Sequence, residues 1–206
     1  TFQEKVRNCE KLVGTHINIP NPYSGELFGQ IGFDYIWIDL EHTAISVDMF
    51  HHCMMSVKAG GTPVIVRVPE HDLTTTKKVL EMGPDGVIFP MIHNAEEAKE
   101  VLSWTLYPPY GKRGCGPQGA VRYGLDPLTE WVKEGHLEKL LRFVMIEQKS
   151  SVLDIDKILE IPYLDGIVIG LWDLSGSINK LGNPFCEENL SLAQTAIDAC
   201  KKHYKS

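Results

Sequence analysis

The stretch that decides the fold runs from Arg142 to Ser175 and reads RFVMIEQKSSVLDIDKILEIPYLDGIVIGLWDLS. It contains two short apolar runs, Phe143–Ile146 and Gly166–Gly170. Between them, residues 152–161 carry apolar side chains at helical spacing. Short apolar runs on either side of a 3.6-residue periodicity indicate strand, helix, strand. The stretch therefore predicts one unit of an alternating α/β fold with parallel strands.

A carboxylate lies just past the C-terminal end of each predicted strand, Glu147 after the first and Asp173 after the second. Neighbouring strands of a sheet lie about 4.8 Å apart, so carboxylates at matching ends can bind one cation. Mg²⁺ and Mn²⁺ prefer oxygen ligands and retain waters that a chelating substrate can displace. We interpret Glu147 and Asp173 as the protein ligands of such a site. Ordinary helix-capping or loop carboxylates are the alternative, and the spacing alone does not separate the two.

Composition limits the classes of protein to consider. The 206 residues are 43% hydrophobic and 23% charged, which suits a single globular domain over residues 1–206. The net charge of −7 with scattered basic residues argues against a nucleic-acid partner. No apolar run approaches the roughly 18–20 residues of a membrane span. The five cysteines are odd in number and have no CxxC spacing, which predicts reduced thiols and a cytoplasmic location.

The rest of the chain continues the alternation. Further strands are predicted at 15–19, 35–38, 63–68 and 86–92, and helices at 6–13, 23–31, 47–58, 73–82, 95–106, 128–141 and 187–203. Two architectures fit: an open doubly wound sheet and a closed (β/α)₈ TIM barrel. Polar residues recur at the C-terminal ends of most strands, and no GxGxxG motif opens a helix, which favours the barrel. Six strands do not close it, so the last two strands are expected to be absent from this chain, which would then be C-terminally incomplete.

Four side chains from the loops and strand ends of the first half are expected at the same edge as Glu147 and Asp173: Asp39, Glu41, His42 and Arg67. The imidazole of His42 titrates near neutral pH and can transfer a proton, although one of eight histidines in a loop can equally be a plain surface residue. Arg67 follows a buried strand, so its charge needs an anion. That anion is either a reacting group or a structural salt-bridge partner, Asp39 or Glu41.

Several segments together resemble the HpcH/HpaI aldolase family, which are class II, metal-dependent pyruvate aldolases of the 2,4-dihydroxyhept-2-ene-1,7-dioate and 2-dehydro-3-deoxyglucarate type. The resemblance spans nearly the whole chain, in the right order and at the right intervals. The segments that carry it are Phe33–His42 (FDYIWIDLEH), Val66–Pro69 (VRVP), Tyr107–Gly114 (YPPYGKRG), Ile146-Glu147 and Gly170–Ser175 (GLWDLS).

The resemblance implies a (β/α)₈ barrel that reversibly cleaves a 2-oxo-4-hydroxy acid to pyruvate and an aldehyde. The family's metal ligands fall on Glu147 and Asp173, with Mg²⁺ or Mn²⁺ expected and Co²⁺ a third candidate. Its proton-transfer histidine falls on His42 and its transition-state arginine on Arg67. A carboxylate that raises the basicity of the histidine falls on Glu81, which from sequence alone reads as a solvated helix residue.

The resemblance also implies how substrate is held. The backbone amide that binds the pyruvate carboxylate falls on Trp172, beside Asp173, and Arg67 contacts the substrate as well. Relatives are commonly homo-oligomers, so a hexamer or trimer is expected here. The expected partner is a small-molecule 2-oxo acid, with neither nucleic acid nor membrane. Because no lysine at a strand end suggests a Schiff base, covalent aldolase chemistry is disfavoured.

Two departures from the family pattern leave alternatives open. Met145 stands where many relatives have Gln, and Leu171-Trp172 stands where they have Pro-Ala or Pro-Asn. A catalytically inactive barrel that serves as a binding or assembly subunit is therefore one alternative. A related carbon–carbon lyase acting on an acyl-CoA is another, disfavoured by the lack of a basic groove for the CoA phosphates.

Overall fold

The computed structural model describes residues 1–206, and its centre is a six-stranded, entirely parallel sheet. Its strands are β1 (Gly14–Ile17), β2 (Tyr35–Asp39), β3 (Val64–Arg67), β4 (Gly86–Phe89), β5 (Leu141–Ile146) and β6 (Gly166–Ile169). They are hydrogen-bonded in chain order, β1 to β6. A doubly wound sheet reverses its order at a switch point, so this order excludes that architecture.

Helices precede, connect and follow the strands. They are α1 (Phe2–Arg7), α2 (Pro22–Ile31), α3 (Val47–Ala59), α4 (Leu73–Met82), α5 (Ala95–Ser103), α6 (Leu128–Glu130), α7 (His136–Lys139), α8 (Lys149–Leu153), α9 (Ile155–Leu159), α10 (Leu171–Ser177) and α11 (Glu187–His203). A 3₁₀ segment, Gly119–Gly124, and a π-helical turn, Trp131–Gly135, lie in the long connection between β4 and β5. No helix of the structure has both the length and the apolar character needed to cross a membrane.

The two faces of the sheet bury different sets of side chains. One face packs against the helices in the larger core, with Ile38, Val66 and Val144 among its members. The other face forms a smaller core that includes Ile65, Ile88, Leu141, Phe143 and Met145, with Phe2 and Val6 of α1 packed onto it. Strand residues thus alternate between two interiors, as expected for a parallel sheet covered on both sides.

The sheet is curled into a half-barrel. Tyr35 of β2 and Val168 of β6 line the same apolar cavity of about 320 Å³, although three strands separate them in the sheet. A flat sheet would hold those strands roughly 19 Å apart at its usual strand spacing. The predicted alternating parallel fold is therefore confirmed through six strands, and these residues do not form a closed barrel of eight.

Three predicted helices differ from those observed. The first lies at Phe2–Arg7 rather than 6–13, because Thr1 and Glu4 form a capping box at its start. The helix predicted at 152–161 is divided in two at Asp154, which leaves the helical region at φ −103°. The helix predicted at 128–141 is interrupted by the π-helical turn and ends at Lys139. Helix α10 was not predicted at all.

Candidate active site

The parallel register brings the predicted polar residues to one edge of the sheet. Asp39 at the end of β2 is paired with Arg67 at the end of β3. Glu147 follows β5 directly, and the Gly170 amide after β6 donates to the carbonyl of Ile146. Because parallel strands all point the same way, these ends form one rim, where parallel α/β folds bind their ligands.

Arg67 is the centre of an ion-pair network at this rim. Its Nε and Nη2 donate to the two Asp39 carboxylate oxygens at 2.8 and 2.5 Å. Its Nη1 lies 3.1 Å from Oε2 of Glu41, and its guanidinium lies over the Trp37 ring, 5.2 Å from the centroid. The structural salt bridge that the sequence left open is therefore present, and it orients Arg67 rigidly in a bidentate fork.

Charge and burial compete in this network. Burial opposes ionisation of both partners, yet the hydrogen bonds and charge of Arg67 hold the pKa of Asp39 below its usual value. Burial likewise opposes the charge on Arg67, and the paired Asp39 and Glu41 more than offset it, which raises the pKa of the guanidinium. Asp39 and Arg67 therefore both stay charged at neutral pH.

Glu41 behaves differently from Asp39, although both face Arg67. Burial, opposed by the charges of Arg67 and His42 and reinforced by nearby carboxylates, raises the pKa of Glu41 to about 7. Its Oε2 lies 3.7 Å from Nε2 of His42. The side chain of His42 is 63% exposed, so it faces solvent at the mouth of the rim. The structure thus brings His42 and Arg67 together through Glu41.

Glu147 is almost completely buried, with 2% of its surface exposed. Its Oε1 accepts a hydrogen bond from the Met91 amide at 2.6 Å, and its Oε2 is packed so closely against Gly170 that a Cβ there would collide with it. Burial raises the pKa of Glu147 and the nearby charge of Asp173 acts in the same direction, while the Met91 hydrogen bond opposes both. The two predicted metal ligands are thus electrostatic neighbours.

The chemistry of this donor pair fits a divalent cation. The negative charge of Asp173 raises the pKa of Glu147, so the two carboxylates repel each other, and a cation between them would relieve that repulsion. No group of three or more His, Cys, Asp or Glu side chains is arranged around a common metal position. The protein would supply Glu147 and Asp173 alone, which leaves coordination positions for water and for a chelating substrate.

Glu81 lies near the C-terminal end of α4. Its carboxylate is 3.8 Å from Nη2 of Arg113 and lines a cavity of about 750 Å³ with residues of α3, α4 and the 118–123 segment. Burial raises its pKa, opposed mainly by Arg113. Within this chain the carboxylate in ion-pair reach of His42 belongs to Glu41. The role of Glu81 toward His42 stays a prediction.

The two residues that depart from the family pattern both lie at the rim. The sulfur of Met145 is 3.5 Å from Nη1 of Arg67, so the residue in the Gln position contacts the arginine. Trp172 and Asp173 lie in the first turn of α10, where backbone amides have no acceptor within the helix. The Trp172 indole is 60% exposed and does not fill the site.

Met91 contributes to the site in a way that sequence reasoning missed. Its amide reaches Glu147 because the residue has a left-handed backbone, with φ +54°. Such a conformation is uncommon outside glycine and asparagine, so the residue type gives no signal for it. The contact of Glu41 with His42 was also missed, although its position in the Asp39-Leu40-Glu41-His42 run marked it as a rim residue.

Comparison with known proteins gives close matches in sequence. A hydroxypyruvate/pyruvate aldolase of Roseobacter denitrificans is 31% identical over 182 residues, which cover 88% of this chain and 71% of the relative. A 2-keto-3-deoxy-L-rhamnonate aldolase of Escherichia coli K12 is 29% identical over 196 residues, which cover 95% of this chain and 73% of the relative.

Solved structures with the same fold include an HpcH/HpaI aldolase from Desulfitobacterium hafniense, with a TM-score of 0.90 and 27% identity over 98% of this chain and 78% of that one. The citrate synthase SbnG has a TM-score of 0.87 and 28% identity, with the same coverage of both chains. The family model described as HpcH/HpaI aldolase/citrate lyase matches residues 13–204. The chain therefore belongs to the HpcH/HpaI aldolase/citrate lyase family, as predicted, and is an enzyme of the carbon–carbon lyase class.

Proposed function

We propose that this protein reversibly cleaves a 2-oxo-4-hydroxy acid to pyruvate and an aldehyde, with a divalent metal ion held by Glu147 and Asp173. The observation that carries the proposal is the position of Glu147: a buried carboxylate at a strand end, close to a second carboxylate and within the field of Arg67 and His42. Aldolases of this family generally depend on a divalent metal ion. Mg²⁺ or Mn²⁺, with Co²⁺ as the third candidate, is the proposed occupant.

A divalent ion held by Glu147 and Asp173 would supply Lewis-acid polarisation of the substrate carbonyl, which would acidify the carbon next to it. Arg67 acts where negative charge develops on the enolate oxygen. Because Asp39 fixes its guanidinium in advance, that stabilisation requires no reorganisation during the reaction. His42 takes the proton of the 4-hydroxyl group in cleavage and returns it in condensation, and its exposure gives it access to the aldehyde half of the substrate.

Binding of the pyruvate carboxylate is proposed at the amide of Trp172, next to Asp173, in the first turn of α10. The free amides of a helix start suit an anion. The proposal also retains Glu81 as a residue that supports His42. Its contribution would be indirect, because the carboxylate lies beside Arg113 in this chain.

The finer features of fold and assembly are part of the same proposal. A closed (β/α)₈ barrel is supported by the similarity to solved relatives and by the backbone of Ser206, which pairs with Asp165 and Ile167 along the edge of β6. A homo-oligomer, hexameric or trimeric, is supported by the family, whose members commonly form oligomers. A cytoplasmic location is proposed from the unpaired cysteines.

The test is a cleavage screen over several 2-oxo-4-hydroxy acids with Mg²⁺, Mn²⁺ or Co²⁺ added, with pyruvate release as the readout. Metal-dependent release that Glu147→Gln and Asp173→Asn each abolish would support the proposal. Asp48→Asn serves as the matched control, since Asp48 is an exposed carboxylate on α3. Release that persists in both site variants and in EDTA would contradict it.

The two alternatives have their own outcomes in this design. A catalytically inactive binding subunit predicts no metal-dependent exchange of deuterium into the methyl group of pyruvate, whereas the proposed enzyme predicts exchange. An acyl-CoA lyase predicts thermal stabilisation by CoA esters. This second alternative is worth testing because one structurally similar protein is a citrate synthase.

A further inference from the structure

The indole of Trp37 has a donor that no protein group accepts. Its Nε1 is buried and has no hydrogen-bond partner, although buried tryptophan nitrogens usually have one. The ring lies directly beneath the rim, because the guanidinium of Arg67 sits over it, 5.2 Å from the centroid. The same ring lines the apolar cavity of about 320 Å³ inside the half-barrel. An unused donor therefore lies between the rim and an apolar interior.

The imidazole of His16 packs on this indole. The parallel register pairs His16 with Trp37, and their ring centroids are 4.4 Å apart at an interplanar angle of 46°. Residues paired across neighbouring parallel strands project to the same face of a sheet, so His16 also faces the inside of the half-barrel. Because β1 is an edge strand, His16 remains exposed there. His16 is thus an accessible polar side chain on a largely apolar inner face.

The protonation state of His16 limits what it can bind. Its ring packs on Trp37, and this partial burial lowers the pKa of the imidazole; the charge of Asp39 opposes the shift and the charge of Arg67 reinforces it. The neutral form therefore dominates at neutral pH. A neutral imidazole has one nitrogen that donates and one that accepts. A hydroxyl group also donates and accepts, so it can pair with either nitrogen, whereas a carboxylate can only accept.

The strand order determines which part of a substrate can reach His16. The strands follow one another from β1 to β6, and the proposed metal ligands, Glu147 and Asp173, lie at the ends of β5 and β6. Arg67 ends β3 and His42 follows β2. A substrate whose keto acid end is held at β5 and β6 extends past Arg67 towards His42. The aldehyde half, beyond carbon 4, then points to β1.

We infer that His16 is a specificity-determining residue, which recognises a hydroxyl group on carbon 5 of the substrate, with the indole N–H of Trp37 as a second donor. The inference rests on the proposed function for its catalytic meaning. Cleavage of such a substrate gives a hydroxylated aldehyde rather than a plain alkyl one. His16 takes no part in making or breaking a bond.

A purely structural role for His16 is the competing explanation, since aromatic packing alone can stabilise an edge strand. The two roles need different parts of the imidazole: packing uses the ring, and recognition uses the nitrogens. His16→Phe keeps a ring and removes the nitrogens, whereas His16→Gln keeps a donor and an acceptor without a ring. The two variants are therefore expected to fail in opposite ways under the two explanations.

The experiment compares cleavage of two acids that differ by one hydroxyl group, 4,5-dihydroxy-2-oxopentanoate and 4-hydroxy-2-oxopentanoate, with the divalent metal added and pyruvate release as the readout. Wild type is expected to have the higher kcat/KM for the dihydroxy acid. His16→Phe should lower that preference by roughly tenfold or more, because the hydroxyl loses its partner in the site. His16→Gln should retain most of the preference.

His52→Phe is the matched control, because His52 is a half-exposed histidine on α3 and should leave the ratio of the two kcat/KM values unchanged. A wild type without preference for the dihydroxy acid would overturn the inference. So would a wild-type ratio in His16→Phe, or a ratio lost in His16→Gln and kept in His16→Phe.

A binding measurement separates this inference from the proposed function. The indole ¹H–¹⁵N NMR signal of Trp37, assigned from Trp37→Phe, is followed as each acid is added with Mg²⁺ to His42→Gln protein, in which cleavage is expected to be blocked. A larger shift with the dihydroxy acid, lost when His16→Phe is added, supports the inference even if the wild type cleaves neither acid and the proposed function fails. Equal shifts with the two acids, or no shift with either, would overturn it.

Discussion

Arg67 and Arg142 are both buried at strand positions of the same sheet, yet they lie in opposite electrostatic environments. Arg67 pairs with the carboxylates of Asp39 and Glu41 at the C-terminal rim. Arg142, near the start of β5, is 1% exposed and donates only to neutral oxygens: the Thr105 hydroxyl and the carbonyls of Leu140 and His136. Burial lowers the pKa of Arg142 to about 10.

The difference teaches how to distinguish a structural charge from a reactive one. Arg142 uses its donors to attach Thr105, after α5, and the 136–140 segment to the bottom of the sheet, and all of these acceptors are neutral. Arg67 lies among titratable groups whose charges can rearrange when an anion forms. The identity of the acceptors, rather than burial, marks the functional arginine.

The largest expected effect is on activity at the rim. Arg67→Lys should lower kcat for pyruvate release by roughly 100-fold or more, because lysine cannot keep the two-pronged contact with Asp39 while facing the enolate. Steady-state kinetics with saturating metal measure this. Arg142→Lys serves as the comparison. An equal loss of kcat in a folded Arg142→Lys protein would contradict the assignment of Arg67 as the functional arginine and Arg142 as the structural one.

The next effect is on stability at the opposite end of the sheet. Arg142→Met should lower the free energy of unfolding by about 3 kcal/mol, since the buried Thr105 hydroxyl and two carbonyls lose their donor. Urea unfolding followed by circular dichroism measures the change. A loss below about 1 kcal/mol would show that these acceptors find water or other partners, contrary to the structural role.

A third test uses the acid sensitivity of the Arg142 region. His136 is fully buried, and burial lowers its pKa to about 4, while its Nδ1 lies 3.0 Å from the Trp131 carbonyl. The pKa of His136 in the folded protein lies below its unfolded value of about 6.5, so its contribution to the free energy of unfolding is fully present above pH 6.5. That contribution is lost as the pH falls towards 4, which lowers the free energy of unfolding by up to about 3 kcal/mol. His136→Gln should flatten this slope in unfolding curves measured between pH 7 and 4, and an unchanged slope would assign it to other groups.

The smallest expected effect concerns the neighbour of Arg67. Met145→Gln should lower KM for the 2-oxo acid by about two- to tenfold, because the amide adds a hydrogen bond to the substrate where the thioether offers almost none. Met145→Leu is the matched control, which removes the sulfur contact to Arg67 without adding a donor. Equal KM values in the two variants would show that position 145 does not reach the substrate.

The sequence predicted most accurately the polar residues that directly follow an apolar strand run. The apolar run at Phe143–Ile146 was enough to place Glu147, since the side chain that follows a parallel strand must lie at the rim. Arg67 was identified by the same logic, together with its structural partner Asp39. The family was correct because several segments matched in order, and each segment alone would have been weak.

What escaped prediction depended on three-dimensional detail without a local signature. The division of the helix at Asp154 follows from one backbone angle, with the Asp154 carboxylate bonded to the amide of Ala95 on another helix. A barrel-like sheet was predicted, but the cavity that Tyr35 of β2 and Val168 of β6 line together is visible only in three dimensions.

The amide of Met91 that holds Glu147 has a consequence for how this site can vary. A backbone donor survives replacement of its own side chain, so the grip on the buried carboxylate does not depend on which group residue 91 displays. It depends on the left-handed bend, which glycine and asparagine adopt with ease and which valine, isoleucine and proline resist. Substitutions at position 91 are therefore limited by the backbone conformation that the new residue can adopt, rather than by the chemistry of its side chain.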